Sequence, residues 1–268
     1  MMTATISTDA HLQLSYRVIG SGPRDVFLIH GWMVSGAVYD EFIAAMVSSQ
    51  AHDLRLIVID QRGTGASSKP ESGYTLDRYA ADVLAVADAV GSRSFVAVGH
   101  SMGGQIAQWL AAHHPDRVTG MVLLCPVPAS GVPLPDDARN LFRNSGGNRG
   151  AQQTILGLAC KQLDDATRDR LLDDAAGVST ACVQQAFDTW TAGGFSDRLS
   201  AIRTPTLVVA TDDPFLPPAF LQAAVEKTIA FARLAILPGP GHYVQAERPR
   251  ETAALVQSFL AGLRSDPA

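Results

Sequence analysis

Apolar and polar positions follow two rhythms along this chain, and the switches between them lay out its elements. Residues 12–18 alternate in the manner of a half-exposed strand, and Gly20, Ser21, Gly22 and Pro23 close that segment in a turn. Val26, Phe27, Leu28 and Ile29 form a continuous apolar run, the mark of a strand covered on both faces. Over residues 39–47 the period lengthens, and Tyr39, Phe42, Ile43 and Met46 share one face of a helix. The same reading gives strands at 54–59, 95–98 and 118–125 and helices at 79–90 and 105–112. Alternating strands and helices predict an α/β fold whose mostly parallel sheet carries helices on both faces.

The rhythm breaks after residue 125. Pro126, Pro128, Pro133 and Pro135 are followed by a turn-like stretch at 144–150 and helical segments at 152–162, 166–174 and 180–192, with no strand pattern. It then resumes with strand 206–210, helix 219–228, strand 233–237 and helix 249–263. The expected organisation is one core, residues 1–126 and 204–268, with a helical cap, 127–203, inserted in it.

Composition narrows the partners. The 268 residues are 47% hydrophobic and 18% charged, which suits one sizeable core. A net charge of −5 with no basic run argues against nucleic acid. Residues 1–10 lack the basic start and apolar middle of a secretory signal, and no apolar run approaches the ~20 residues that span a bilayer. Cys125, Cys160 and Cys182 are odd in number and widely spaced, so they read as buried thiols rather than a disulfide frame or zinc site. A cytoplasmic protein without a membrane partner, metal or other cofactor is expected, and a homodimer is left open.

Candidate chemistry centres on Gly99-His100-Ser101-Met102-Gly103, which lies between an apolar strand and a helix. A G-x-S-x-G sequence in that setting is a tight turn that lifts the serine hydroxyl clear of the sheet. Glycine is needed on either side because a Cβ would meet the neighbouring strand or helix. The helix N-terminus offers N–H groups to a developing negative charge. Serine needs a base, and the base needs an orienting acid. Asp212 and Asp213 follow strand 206–210, and His242 follows strand 233–237, both at the sheet edge where Ser101 sits. Of the two acids Asp213 is preferred, because the Asp-Pro step turns the chain directly after it, and Asp212 is left to cap the loop. An oxyanion needs two N–H donors, each worth ~3 kcal/mol of barrier. The backbone N–H groups of Met102 and Trp32 are the candidates.

Taken together, His30-Gly31-Trp32, Asp60-x-Arg62-Gly63-x-Gly65-x-Ser67, Gly99-x-Ser101-x-Gly103, the Asp213 loop and Gly241-His242 resemble the α/β-hydrolase fold superfamily, in its compact branch with a short helical cap. The resemblance runs from Val26 to the C-terminus outside the cap, and it implies an eight-stranded sheet and a serine-hydrolase mechanism. Two positions depart from it. Many relatives have proline where this chain has Met33, and the acid loop usually opens with glycine where this chain has Ala210. Epoxide hydrolases and haloalkane dehalogenases of the branch use aspartate as nucleophile, so Ser101 argues against both.

The remaining features have plainer readings. His100 packs or hydrogen-bonds inside the turn, His113 and His114 suit a helix C-terminus, Arg62 is a loop clamp, and the glycines at 144–150 follow no strand, so they are no phosphate cradle. Among the cap's Leu141, Phe142, Leu156, Phe187, Trp190 and Phe195, most are core and the rest face Ser101. Trp32, Val127, Phe142, Trp190 and Tyr243 are the expected substrate-binding residues, with Met102 beside them, in an apolar pocket. The expected partner is a small or medium, largely uncharged acyl substrate, and the expected reaction is ester or lactone hydrolysis. The same triad also serves hydrolysis of C–C bonds in β-diketones or ring-cleavage products, perhydrolysis, and, through its His/Asp pair, cofactor-free dioxygenases. A ligand sensor with the same fold is a reading of another class. Multiple turnovers of a p-nitrophenyl ester favour the enzyme, and a single stoichiometric burst favours the sensor.

Overall fold

The computed structural model describes residues 2–8, 12–48 and 53–263. In chain order the core begins with β1 (Met2–Ser7), β2 (Gln13–Ile19) and β3 (Arg24–Ile29), then a 3₁₀ turn, α1 (Asp40–Ser48), β4 (Leu54–Ile59), α2 (Leu76–Ala89), β5 (Phe95–His100), α3 (Met102–His113) and β6 (Val118–Leu124). Four helices follow: α4 (Asp136–Arg143), α5 (Arg149–Ala159), α6 (Asp165–Ala176) and α7 (Thr180–Ala192). The core then completes itself with β7 (Thr206–Thr211), α8 (Pro218–Ala224), β8 (Ala232–Leu237), α9 (Val244–Glu247) and α10 (Pro249–Gly262).

The strands form one eight-stranded sheet in the order β1-β2-β4-β3-β5-β6-β7-β8. The pairs β1–β2 and β2–β4 are antiparallel, and every other pair is parallel. Continuous apolar strands make sense here because successive side chains enter two different cores. Phe27, Ile29, Ile57, Ile59 and Ala97 join Tyr79, Val83, Ile106 and Leu110 of α2 and α3 on one face. Val26, Leu28, Leu56, Val58 and Val98 join Phe42 and Met46 of α1 and Val256 and Leu260 of α10 on the other.

Several boundaries differ from the sequence expectation, each for a local reason. β1 was not expected, although Met2, Ala4 and Ile6 alternate; it is an edge strand with mostly exposed side chains. In the cap, α4 was missed because only its Phe142 is buried; acidic Asp136 and Asp137 open it and Arg143 closes it, in accord with the helix dipole. α5 starts three residues early, inside the supposed turn, because Asn148 Oδ1 accepts from the Ala151 N–H at 3.1 Å and caps it. α8 stops at Ala224 and yields to a 3₁₀ turn, and the short α9 follows His242 directly. Among the described residues no helix is long and apolar enough to cross a membrane.

Candidate active site

Ser101 sits at φ 55°, ψ −120°, between the last residue of β5 and the first of α3. That backbone conformation costs roughly 1–3 kcal/mol for a non-glycine residue and persists only when its surroundings enforce it. They do so here. The Ser101 N–H donates to the Leu124 carbonyl at 3.0 Å, and its own carbonyl accepts from Gly104 at 2.9 Å and Val127 at 3.0 Å. A Cβ on Gly103 would lie 2.0 Å from the Ile29 carbonyl oxygen, and one on Gly99 would lie 2.3 Å from that of Gly103. Helix, strand and turn therefore approach as closely as glycine permits.

The second group follows β7 and β8, two and three strands from β5 at the same edge of the sheet. Asp213 follows β7 and is 1% exposed. One of its oxygens accepts from the Phe215 N–H at 2.8 Å, and the other lies 2.6 Å from His242 Nδ1. The neighbouring Asp212 accepts from the Gly239 N–H at 3.0 Å through its carboxylate and donates its own N–H to the Pro240 carbonyl at 3.1 Å, which fixes the loop before the histidine. Since a carboxylate accepts, Nδ1 carries the proton and Nε2 is the basic nitrogen. His242 and Ser101 line one cavity, and among the described residues no hydrogen bond joins them. Such contacts commonly tighten only when substrate binds.

The N–H groups of Trp32 and Met102 donate no hydrogen bond among the described residues, so both are available to an oxyanion. His30 shapes the Trp32 loop. The Gln61 N–H donates to its Nε2 at 3.0 Å, so its Nδ1 carries a hydrogen and donates to the Gly31 carbonyl at 2.8 Å. Burial holds this imidazole below its usual range. Met33 has φ 64°, a conformation closed to proline, so its departure from the family pattern reflects a different loop geometry. Ala210 is an ordinary buried residue of β7 paired with Ile236, where no glycine is required. Arg62 is a clamp, as its side chain suggested: it pairs with buried Asp82 at 2.6 and 2.7 Å and donates to the Gly73 carbonyl at 3.0 Å.

His100 packs beside the pair, its ring 4.8 Å from that of His242, and its Nε2–H donates to the His242 carbonyl at 3.0 Å. Burial, and then the neighbouring His242, hold it well below the usual imidazole range. Trp32, Val127, Phe142, Trp190 and Tyr243 all line the cavity with Ser101 and His242. Trp32 stacks on Phe142 at 5.6 Å and donates its indole N–H to the Val183 carbonyl of α7 at 3.0 Å, so the cap and the Trp32 loop form one wall. Met102 is buried but does not line it. Sequence reasoning missed Ile155 and Ala159 of α5 and the Phe215-Leu216 pair beyond Asp213. The last pair was readable from its place in the acid loop, the first only from the cap's packing.

Cys125 and Cys182 are buried, whereas Cys160, expected to be buried, is partly exposed at the C-terminus of α5. Cys125 Sγ, Asp213 and His242 offer donor atoms within 4.8 Å of one another, the group among the described residues that a metal ion would suit. The 2.6 Å imidazole–carboxylate contact already engages two of those donors.

A strand-to-helix serine, a carboxylate after a later strand and an imidazole after the next, all on a mostly parallel eight-stranded sheet, define the alpha/beta hydrolase class. The model of the alpha/beta hydrolase family matches residues 26–255, and the chain belongs to that family. It is 32% identical to a non-heme haloperoxidase of Rhodococcus erythropolis over 251 residues, covering 86% of this chain and 89% of the relative. Among solved structures it resembles Est816, an N-acyl homoserine lactone degrading enzyme, with TM-score 0.80, 30% identity and 96% and 100% of the two chains covered. An esterase from Exiguobacterium antarcticum shares the fold at TM-score 0.89 and 20% identity, over 97% and 100% of the chains.

Proposed function

We propose that the chain is a serine hydrolase that cleaves a carboxylic ester or lactone of a small to medium, largely apolar substrate. The observation that carries this reading is the 2.6 Å pair of Asp213 and His242, which opens on the same apolar cavity as Ser101. In it, Ser101 Oγ attacks the carbonyl carbon while His242 Nε2 takes the hydroxyl proton. The oxyanion is held by the Trp32 and Met102 N–H groups. On collapse His242 returns the proton to the departing alkoxide. Water then gives its proton to His242 and attacks the acyl carbon, and Ser101 leaves with that proton. A cavity lined mostly by apolar side chains suits an uncharged acyl group. The likeness to a lactone-degrading enzyme supports including lactones.

Release of p-nitrophenol from short acyl esters tests this. Ser101→Ala is expected to lower turnover by at least ~10³ while leaving the fold intact; an unchanged rate refutes the assignment. The likeness to a haloperoxidase favours a second reading, in which hydrogen peroxide replaces water and the acyl group leaves as a peracid. Peracid formation from carboxylate and peroxide, abolished by the same substitution, distinguishes it.

A further inference from the structure

The carboxylate of Glu247 is buried yet pairs with no cationic side chain among the described residues. It is instead ringed by backbone N–H groups. Gly241 donates to it at 3.0 and 3.1 Å and Tyr243 at 3.2 Å, the residues on either side of His242. Lys161 and Gln162, directly after cap helix α5, each donate at 2.8 Å. A glutamate near the start of a helix reaching back to the preceding N–H is an ordinary capping arrangement, and it accounts for Tyr243 alone. The other three donors lie outside that turn, and two belong to the cap. The His242 N–H also donates to the Ala159 carbonyl at 2.8 Å, and a Cβ on Gly241 would lie 2.1 Å from that same oxygen. Ala159 and Ile155, on α5, line the substrate cavity.

We propose that Glu247 is a positioning residue for His242: its carboxylate knots the histidine loop to the end of α5, so that the cap helix touching substrate also sets where the imidazole stands. This rests on the reading of His242 as the general base. Glutamine at this position keeps the shape of the side chain but turns an NH₂ group towards N–H donors, so the knot loosens on one side.

The test uses the full chain and two readouts, turnover of p-nitrophenyl butyrate and solvent exchange of the downfield His242 Nδ1–H proton resonance. Glu247→Gln is expected to lower kcat at least about 10-fold with KM within about 3-fold, as for a misplaced catalytic group. It is also expected to speed exchange of the Nδ1–H by about 10-fold or more, because the ring no longer holds its bond to Asp213. Both changes together support the proposal. Slower turnover with wild-type exchange, or wild-type turnover whatever the melting temperature, overturns it. Should Glu247→Gln not fold, Lys161→Pro removes one cap-side donor where the preceding Cys160 is already extended (φ −103°, ψ 143°), and the same pair of changes is required. If the chain hydrolyses no ester, the ester reading fails, and the exchange rate alone decides whether Glu247 holds the ring.

Discussion

Stability should fall steeply as pH drops from neutral towards 5.5, because two histidines are folded into sites that accept only the neutral ring. His30 receives the Gln61 N–H on Nε2, so a proton there would set donor against donor. His100 donates through Nε2, and its other ring nitrogen is buried with no partner among the described residues. Burial is the main cause holding both below the usual imidazole range. The sign follows directly. The unfolded rings titrate near ~6.5, so below that pH the unfolded chain binds protons that the fold refuses. This contribution is complete above the unfolded pKa and is lost as pH falls. At about pH 5.5 a ring kept wholly neutral costs RT ln(1 + 10), about 1.4 kcal/mol, against less than about 0.1 at pH 7.5, so about 2.7 kcal/mol is the ceiling for the pair. In a domain of this size that ceiling is a drop of about 5–10 °C in melting temperature. His114 is too exposed to add much, and staying above pH 5.5 avoids the carboxylate range, where burial of Asp82 acts in the opposite sense. Urea unfolding at several pH values measures the slope, and His30→Asn or His100→Asn should each reduce it, His100→Asn by more. Stability that is flat over this interval, or a slope untouched by either substitution, refutes the reasoning.

Other expectations are quickly checked. Asp213→Asn should lower kcat for p-nitrophenyl esters by ~10³–10⁴, because the amide donates to Nδ1 and selects the wrong tautomer, while Asp212→Asn should stay within about 3-fold of wild type, since its carboxylate accepts from the Gly239 N–H. Gly103→Ala should prevent stable folding, with its Cβ 2.0 Å from the Ile29 carbonyl oxygen. By contrast Gly157→Ala, in mid-α5 with nothing within 4 Å, should stabilise by about 0.5–1 kcal/mol in the same urea titration. Phe142→Ala removes the ring stacked on Trp32 and should shift preference towards longer acyl chains, read as kcat/KM across butyrate to decanoate esters.

The parallel core and the elements bearing Ser101, Asp213 and His242 were legible in the chain because each is a local signal: a buried strand, then a turn forced by glycine or proline, then a reactive side chain. Residues whose partners are distant in sequence were not. Glu247 carried no local signal that marked it out, and only the fold brings Lys161 and Gln162 to it. Helix α4 escaped because one buried side chain, Phe142, gives no periodicity, and its place beside Trp32 depends on how the cap lies over the sheet. Met33 could be read as a departure from the family pattern, but its left-handed backbone could not, since no side-chain preference announces it.

Several ionisable groups around Ser101 are held from changing charge. Burial keeps His30 and His100 neutral and raises the Cys125 thiol and the Tyr243 hydroxyl beyond reach of neutral pH. Glu247 spends its oxygens on four backbone N–H groups. Asp213 is committed through one oxygen to Phe215 and through the other to His242. His242 lines the cavity with a carboxylate 2.6 Å from its Nδ1. An apolar pocket raises the cost of any charge without a partner, and the contact with Asp213 gives the His242 ring one. The neutral His100 beside it matters for that reason: a second imidazolium 4.8 Å away would oppose the charge that His242 takes on in the proposed mechanism.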